Sequence, residues 1–389
     1  MLTGIKILDM TSVVFGPYAT QILADLGAEI IKVEAPTGDA LRYAGKSSNS
    51  KGMGPSFIAL NRGKKSISLN LKDTDDAALM RKLIQESDVF IHNVRKPAIQ
   101  KLGFGYEDTK RLNPELIYVH CVGFGSSGPY NSLQAYDDVI QAASGMTTLA
   151  SRVDGDPTPR YVPSLIADKV AGLHAVYATM AAIIHKLRTG NGQFVEVPMF
   201  EAFTSFLLKE HLAGKTFQPP VGTSLYDRQI DPNRQPFPTA DGYISIVPYS
   251  DKSWFDLFES LGSPETLEDE RFNSPKNRMI NISLLYAEIA KRTPSKTTDE
   301  WIHILRALPM PCMAVRDIDD ILNDPHLQKT GFFQKREHPS EGNIFEMVEP
   351  SHFSQWEKRL PKGASQHAAD QSEVKDSPSD KKEELNSKH

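Results

Sequence analysis

The sequence predicts an α/β protein with a large Rossmann-like parallel-sheet domain and a smaller α+β domain. At the N-terminus, about 125 residues alternate apolar strand patterns with amphipathic helix patterns, as chains that build parallel sheets do. Residues 215–238 then lose periodicity and are rich in proline, which marks a boundary. A chain of 389 residues is long enough for about two domains.

The strands and helices of the large domain alternate along the chain. Gly16-Pro17 opens the first helix, because proline suits a helix's first turn, and Asp73 caps a later one. A helix over 164–185 is unusually rich in alanine and glycine, which predicts close packing inside the domain. The predicted strands are 5–10, 30–34, 66–71, 89–91, 116–122 and 194–197.

The boundaries that follow define five segments. Residues 1–214 form the N-terminal part of the large domain, 215–238 a linker, and 239–325 the small domain. Residues 326–360 return to the large domain. Residues 361–389 lack aromatic side chains and mix charges of both signs, which predicts a disordered tail.

Composition excludes several classes of protein. A net charge of −5 argues against a general nucleic-acid surface. The two cysteines are far apart and form no CxxC pair, so we expect neither a disulfide framework nor a zinc site. No apolar run approaches the about 18 residues that span a bilayer. We therefore expect a cytoplasmic protein that binds neither membrane nor nucleic acid.

Basic residues cluster near predicted strand ends. Lys64 and Lys65 precede one strand, Lys72 follows it, and Arg95 and Lys101 come after the next. Open parallel sheets bind ligands outside the carboxyl ends of their strands, where cations suit a phosphorylated ligand such as a nucleotide or CoA. The alternative is that these lysines and arginines are solvated on surface loops and bind no ligand, which would give the same pattern. The first loop lacks the GxGxxG fingerprint, which disfavours an NAD-dependent oxidoreductase.

Asp168 is the candidate nucleophile. A carboxylate is ordinarily ionised at neutral pH, so it can attack a thioester without a general base. The alternative is a capping role, since Asp168, like Asp137 and Asp138, lies near a predicted helix start. The local sequence pattern does not decide between a nucleophile and a helix cap. Neither HExxH metal spacing nor a GxSxG serine elbow occurs in the chain.

In combination, these residues resemble the family III CoA-transferases, a group that also contains the α-methylacyl-CoA racemases. The matching positions extend over about residues 3–350 and occur in the family's order. They include GIKILD at 4–9, Gly16-Pro17, LGAEIIKVE at 26–34, residues 61–66, 88–93 and 123–125, Asp168, RTGNGQ at 188–193, and DGY at 241–243.

The resemblance implies an interlocked, ring-like homodimer, with acyl-CoA and small carboxylic acids as substrates and no permanently bound cofactor. It makes Asp168 the nucleophile, which passes through aspartyl anhydride and aspartyl-CoA thioester intermediates. It also implies a set of CoA contacts. These fall on Val14, Phe15, Leu69, Asn70, Lys72, Asn93, Val94, Arg95, Lys101 and Tyr136.

Two departures from the family pattern bear on the substrates. Val14 and Ala35 replace a glutamine and a CoA-contacting arginine of formyl-CoA transferase, and the glycine-rich lid of that enzyme is absent, so oxalate and formate are poor candidates. Arg228 and Arg234 could pair with a substrate's free carboxylate, or form structural ion pairs.

Two alternatives to a transferase stay open. A racemase is disfavoured, because Tyr136 stands where those enzymes hold a catalytic histidine, and tyrosine ordinarily titrates near pH ~10. A CoA-binding protein without catalysis is the other alternative, since a fold does not guarantee an activity.

Overall fold

The structure, a computed structural model, describes residues 1–356 and 361–377. Contacts divide the chain into two compact units. Among the described residues, the first contains 1–146, 161–207, 325–356 and 361–377, and the second contains 147–160 and 208–324. The predicted linker 215–238 falls inside the second unit.

The strands agree with the predicted pattern over most of the chain. They are β1 (Lys6–Met10), β2 (Glu29–Glu34), β3 (Lys64–Ser68), β4 (Val89–His92), β5 (Ile117–Val122), β6 (Gln193–Pro198), β7 (Phe237–Pro238), β8 (Tyr243–Ile246), β9 (Cys312–Ala314), β10 (Phe333–His338) and β11 (Gly342–Met347).

The helices connect these strands. They are α1 (Phe15–Asp25), α2 (Pro55–Asn61), α3 (Thr74–Glu86), α4 (Lys96–Lys101), α5 (Tyr106–Leu112), α6 (Asp137–Ser144), α7 (Leu149–Asp154), α8 (Ile166–Thr189), α9 (Met199–His211), α10 (Asp251–Ser260), α11 (Pro275–Ile280), α12 (Ile282–Arg292), α13 (Thr298–Ala307), α14 (Pro325–Lys329) and α15 (Gln371–Asp376).

A six-stranded parallel sheet organises the first unit. Its strand order is β3-β2-β1-β4-β5-β6, so the predicted Rossmann-like sheet is confirmed. The order reverses between β1 and β4, where Met10 pairs with His92. The second unit contains a smaller antiparallel sheet, β7-β8-β9, and β10 and β11 form an antiparallel pair in the first unit.

Alternating side chains bury both faces of the parallel sheet. On one face Ile7 and Ile91 pack with residues of α1 and α8, and on the other Leu8 and Phe90 pack with residues of α3. Helices on both faces are what a doubly wound sheet needs, because each face would otherwise expose apolar surface.

α8 packs closely against α1, as its small residues predict. A Cβ at Gly172 would lie 2.9 Å from Cδ1 of Tyr18 and 3.0 Å from the carbonyl oxygen of Phe15. By length and composition α8 is also apolar enough to cross a membrane, a test that core helices of soluble proteins pass as well. Ala167, Ala171 and Ala175 are fully buried within the first unit's core.

The segment 361–377, predicted to be disordered, has a defined structure along β3. Ser66 donates its N–H to Oδ2 of Asp370 at 2.8 Å, Ser68 donates to Gln371, and Val374 is buried against the sheet. β3 is the edge strand, so its unpaired backbone groups need partners, and this segment supplies them. Residues 378–389 of the predicted tail lie outside the described residues.

Candidate active site

Two loops meet where the strand order reverses. Residues Thr11 to Val14 follow β1, and Asn93 to Arg95 follow β4. The Asn93 side chain joins them, since its Oδ1 accepts from the Ser12 N–H at 3.1 Å and its Nδ2 donates to the Ser12 carbonyl at 2.9 Å. Doubly wound sheets bind their ligands in the crevice at this position.

A cavity of about 350 Å³ opens beside these loops, within the first unit. Residues that follow β1, β2, β3 and β4 contribute to its wall, as expected for a crevice at the carboxyl edge of the sheet. Half of the predicted CoA-contact residues line it: Leu69, Asn70, Lys72, Asn93 and Val94.

The other predicted contact residues lie elsewhere in the first unit. Val14 and Phe15 are buried at the start of α1. Arg95 and Lys101 are exposed at the two ends of α4, and Tyr136 is exposed at the start of α6. None of these five residues lines the cavity.

Asp168 is the third residue of α8 and is buried. The backbone N–H of Phe15, the first residue of α1, lies near its carboxylate and lowers the pKa of Asp168. Val14, at the N-cap of α1, offers no side-chain cap, so the Asp168 carboxylate lies near the uncapped start of a helix other than its own. That arrangement differs from the capping of α8 that the sequence pattern allows.

A second buried carboxylate, Asp137, stands next to Asp168. Its Oδ1 accepts from the Asp168 N–H at 3.0 Å, and its Oδ2 accepts from Nε2 of Gln141 at 2.6 Å. Asp137 is the first residue of α6, and the sequence pattern suggested only a capping role for it. The signal that could have identified it was an acid opening a helix after the glycine-rich segment 123–128.

The environment of Asp168 changes its ionisation. Burial raises the pKa of Asp168, the Asp137 carboxylate raises it further, and the Phe15 N–H lowers it, with a result of about 7. The expectation of a carboxylate fully ionised at neutral pH is therefore wrong, because near pH 7 the protonated and ionised forms coexist. Buried acids with raised pKa values are common at functional sites.

Comparisons with known proteins identify the family. Residues 2–370 match CoA-transferase family III. The chain belongs to that family. It is 30% identical over 380 residues to the human succinyl-CoA:glutarate CoA-transferase, covering 94% of this chain and 84% of that protein. It is 36% identical over 327 residues to a probable fatty acyl-CoA transferase of Mycobacterium tuberculosis, covering 80% and 82%.

A solved structure agrees with this assignment. The crystal structure of a CaiB/BaiF family protein from Brucella suis has a TM-score of 0.82 and 29% sequence identity. The match covers 96% of this chain and 98% of that one. The chain is accordingly an enzyme that transfers CoA between carboxylic acids.

Part of the basic cluster in this CoA-transferase has a structural role. Lys64 lies at the amino end of β3, where its Nζ contacts Oδ2 of buried Asp9 at 3.1 Å, and burial lowers the pKa of Lys64 to about 8. Lys65 pairs with Glu373 on the surface at 2.9 Å. Neither lysine lines the cavity. Within the described part of the chain, Lys72, Arg95 and Lys101 form no ion pair.

Arg228 and Arg234 lie in the second unit of the CoA-transferase. Nε of Arg228 donates to the Tyr286 hydroxyl at 3.2 Å, and the guanidinium lies 5.9 Å from the centre of the Tyr249 ring. Among residues 1–356 and 361–377 neither arginine forms an ion pair with a carboxylate. Arg234 donates instead to Oε1 of Gln229 at 2.8 Å.

Proposed function

We propose that this enzyme transfers CoA through covalent intermediates on Asp168. The observation that supports this most directly is a buried carboxylate that lies near a backbone N–H at the start of α1. Its ionised form can act as a nucleophile without metal or general base. The nearby Phe15 N–H favours that ionised form.

The proposed reaction balances without proton transfer. An Asp168 oxygen attacks the thioester carbonyl, the C–S bond breaks, and CoA thiolate leaves a mixed anhydride. The thiolate then attacks the aspartyl carbon, which releases the donor acid and forms an aspartyl-CoA thioester. The acceptor carboxylate displaces CoA thiolate from that thioester to give a second anhydride. Attack of the thiolate on the acceptor's carbonyl completes the new acyl-CoA and restores Asp168.

CoA would bind along the carboxyl edge of the parallel sheet. Leu69, Asn70, Lys72, Asn93 and Val94 line the cavity there, and an adenine or pantetheine group fits a mostly apolar wall. Arg95 and Lys101 are exposed cations on α4, close in sequence to those residues, and would contact the phosphates. Val14, Phe15 and Tyr136 would contact the thioester end of CoA.

We further propose that one substrate is a dicarboxylic acid. Relatives named for succinyl-CoA and glutarate transfer CoA between such acids. Steady-state kinetics should give a lower KM for dicarboxylic acceptors than for monocarboxylic acceptors of equal length, and equal KM values would contradict this part of the proposal.

A homodimer is part of the proposal. Leu173, Tyr177, Ile184 and Leu187 share one face of α8, and each is about half exposed or more in the single chain. Exposed apolar faces of this kind mark protein contacts. Light scattering should give twice the chain mass for wild type and a smaller mass for Leu187→Glu. A monomeric wild type would contradict the dimer.

Chemical trapping tests the nucleophile. Wild-type enzyme is incubated with acyl-CoA and then hydroxylamine, and peptide mass spectrometry should find the hydroxamate on Asp168. Asp168→Asn should remain unmodified and should not transfer CoA. The control is Asp138→Asn, which replaces a neighbouring exposed acid and should be labelled on Asp168 and transfer CoA as wild type does. Turnover by Asp168→Asn at the wild-type rate would contradict the proposal.

An α-methylacyl-CoA racemase is the second candidate, favoured by one observation. A pKa near 7 suits Asp168 to general acid–base catalysis as well as to nucleophilic attack. Tyr136, at the position expected for the second acid–base residue, is 63% exposed. Deuterium incorporation at the α-carbon of a 2-methylacyl-CoA in D₂O, without CoA transfer to an added acid, would favour the racemase.

A further inference from the structure

The loop Thr11–Val14, between β1 and α1, has an unusual backbone conformation. Val13 adopts φ +68°, in the left-handed region that β-branched residues rarely enter. Such conformations persist only where the surrounding structure determines them, and they concentrate at functional sites. The residue two positions further along the chain is Phe15, whose carbonyl oxygen would lie 3.0 Å from a Cβ at Gly172, one turn after Asp168 on α8, so this end of α1 packs beside the candidate nucleophile.

Side chains from three other parts of the sheet hold this loop by its backbone. Lys32, on β2, donates from Nζ to the Thr11 carbonyl at 2.9 Å. Asn93, after β4, holds both backbone groups of Ser12. Asp39, after β2, accepts from the Val13 N–H through Oδ1 at 3.2 Å. The left-handed residue is thus fixed directly by one carboxylate.

Two of these side chains form a buried ion pair. Nζ of Lys32 lies 3.1 Å from Oδ2 of Asp39, and each side chain is 1% exposed. Asp39 belongs to the cavity wall, but its carboxylate is covered, and Lys32 does not line the cavity. Burying two charges costs about as much free energy as their attraction returns, so such a pair is weak evidence for stability and better evidence for a fixed geometry.

We propose that Lys32 and Asp39 are positioning residues for CoA transfer, an inference that rests on the proposed nucleophilic role of Asp168. Together they hold the Thr11 carbonyl and the Val13 N–H, which fixes Val13 in its left-handed conformation. That conformation sets the direction in which α1 begins, and with it the direction of the Phe15 N–H. The ion pair therefore acts on Asp168 through the loop, without contact with substrate.

The consequence is specific to the ionised nucleophile. Without the pair, Val13 relaxes towards negative φ and the Phe15 N–H turns away from the Asp168 carboxylate. Ionised Asp168 then loses the stabilising effect of that N–H, while burial and the Asp137 charge still raise its pKa. The fraction of reactive carboxylate at neutral pH falls, and the thioester meets a less well placed oxygen.

The test uses the double variant Lys32→Met/Asp39→Leu, which removes both charges together with the acceptor for the Val13 N–H and avoids leaving one buried charge unpaired. The matched control is Arg62→Met, which breaks another buried ion pair of the first unit, with Asp25, away from the loop and the cavity. For each protein we would measure Tm, kcat, KM for acyl-CoA, and kcat/KM from pH 5 to 9.

The double variant should lower kcat by about 10–100-fold, the loss typical of a misplaced reacting group, with KM changed by less than about threefold. Its acid limb in kcat/KM should move to higher pH. Arg62→Met should lower Tm but leave the acid limb where it is in wild type. An unmoved acid limb in the double variant, with kcat no lower than in Arg62→Met, would overturn the inference.

The two proposals fail in different ways. If hydroxylamine trapping labels Asp168 in wild type and the acid limb of the double variant stays in place, only the positioning role is wrong. If trapping does not label Asp168, the proposed mechanism itself is wrong. A double variant that does not fold is replaced by Lys32→Met/Asp39→Asn, which loses both charges and the Lys32 contact with the Thr11 carbonyl but keeps an acceptor for the Val13 N–H. Its acid limb should move to higher pH by less, and an acid limb equal to that of wild type, with kcat no lower than in Arg62→Met, would overturn the inference.

Discussion

The backbone N–H of Asp168 donates to Oδ1 of Asp137 at 3.0 Å, so two buried carboxylates stand side by side in one site. A carboxylate next to another resists ionisation, because like charges repel most strongly where water is excluded. The two residues are bridged through the Asp168 main chain, which leaves the Asp168 carboxylate free to face the Phe15 N–H, and this N–H lowers its pKa. Its reactivity is therefore set jointly by α6, α1 and burial.

Asp137→Asn should shift the acid limb of kcat/KM to lower pH. Burial is the largest cause of the raised Asp168 pKa and the Asp137 charge is the second, so removing that charge lowers the pKa towards its ordinary value. The asparagine amide faces Nε2 of Gln141, so the variant should also lose about 1 kcal/mol of stability. A pH–rate profile measures the shift of the acid limb, and a thermal melt measures the loss of stability. An acid limb that stays in place or moves to higher pH would contradict the predicted effect of Asp137 on the Asp168 pKa.

Asp168→Asn should raise Tm, and the gain should grow with pH. The pKa of Asp168 rises from 3.8 to about 7 on folding, so below pH 3.8 the acid is protonated in both states and costs nothing. Between pH 3.8 and about 7, Asp168 ionises in the unfolded chain but stays mostly protonated in the folded one. The free energy of unfolding of wild type therefore falls as pH rises. Above pH 7 the cost is constant, at most about 4 kcal/mol.

Melting curves at pH 5 and pH 8 measure this difference. Asp138→Asn, which removes an exposed acid in the first turn of α6, is the control and should show no gain that depends on pH. A Tm difference between Asp168→Asn and wild type that is equal at both pH values would contradict the raised pKa.

The parallel sheet could be predicted because its signals are local. Glycine, proline and apolar periodicity located β1, β2, β4, β5 and β6 to within about two residues. The position of β3 was predicted at 66–71 and is found at Lys64–Ser68. Lys64 is buried there only because Asp9, 55 residues away in the sequence, neutralises it. A local pattern does not contain that partner.

The same limit applies to the site. Asp168 and the residues after β3 and β4 are predicted from the sequence, and five of the predicted CoA-contact residues line one cavity. The ionisation of Asp168 was not predictable, because it depends on Asp137, 31 residues away in the sequence, and on Phe15. Likewise 361–377 has the composition of a disordered tail, yet Asp370 pairs with Ser66, 304 residues away.

Lys72→Gln, Arg95→Gln and Lys101→Gln should each raise KM for acyl-CoA by about fivefold, since an exposed ionic contact contributes about 1 kcal/mol. KM for the acceptor acid should not change, because the proposed contacts are to CoA phosphates. The effect should shrink at high salt, which screens exposed charges. Steady-state kinetics at two ionic strengths measure both.

The control for these variants is Lys65→Gln. Lys65 is also an exposed lysine of the first unit, but it lies at the amino end of β3 and pairs with Glu373. Its removal should leave every KM unchanged. If Lys65→Gln raises KM for acyl-CoA as much as Lys72→Gln does, general charge attraction accounts for binding and the proposed contacts are wrong.

Asp370→Ala should destabilise the first unit by about 1–3 kcal/mol, the cost of leaving a buried backbone donor without an acceptor. The donor is the Ser66 N–H on the edge strand β3, and both residues are buried. Asp370→Asn is the matched control, because its Oδ1 can still accept from Ser66. Thermal melts should give similar Tm values for wild type and Asp370→Asn, and a lower Tm for Asp370→Ala. Equal Tm values for all three proteins would mean that 361–377 does not stabilise the sheet edge.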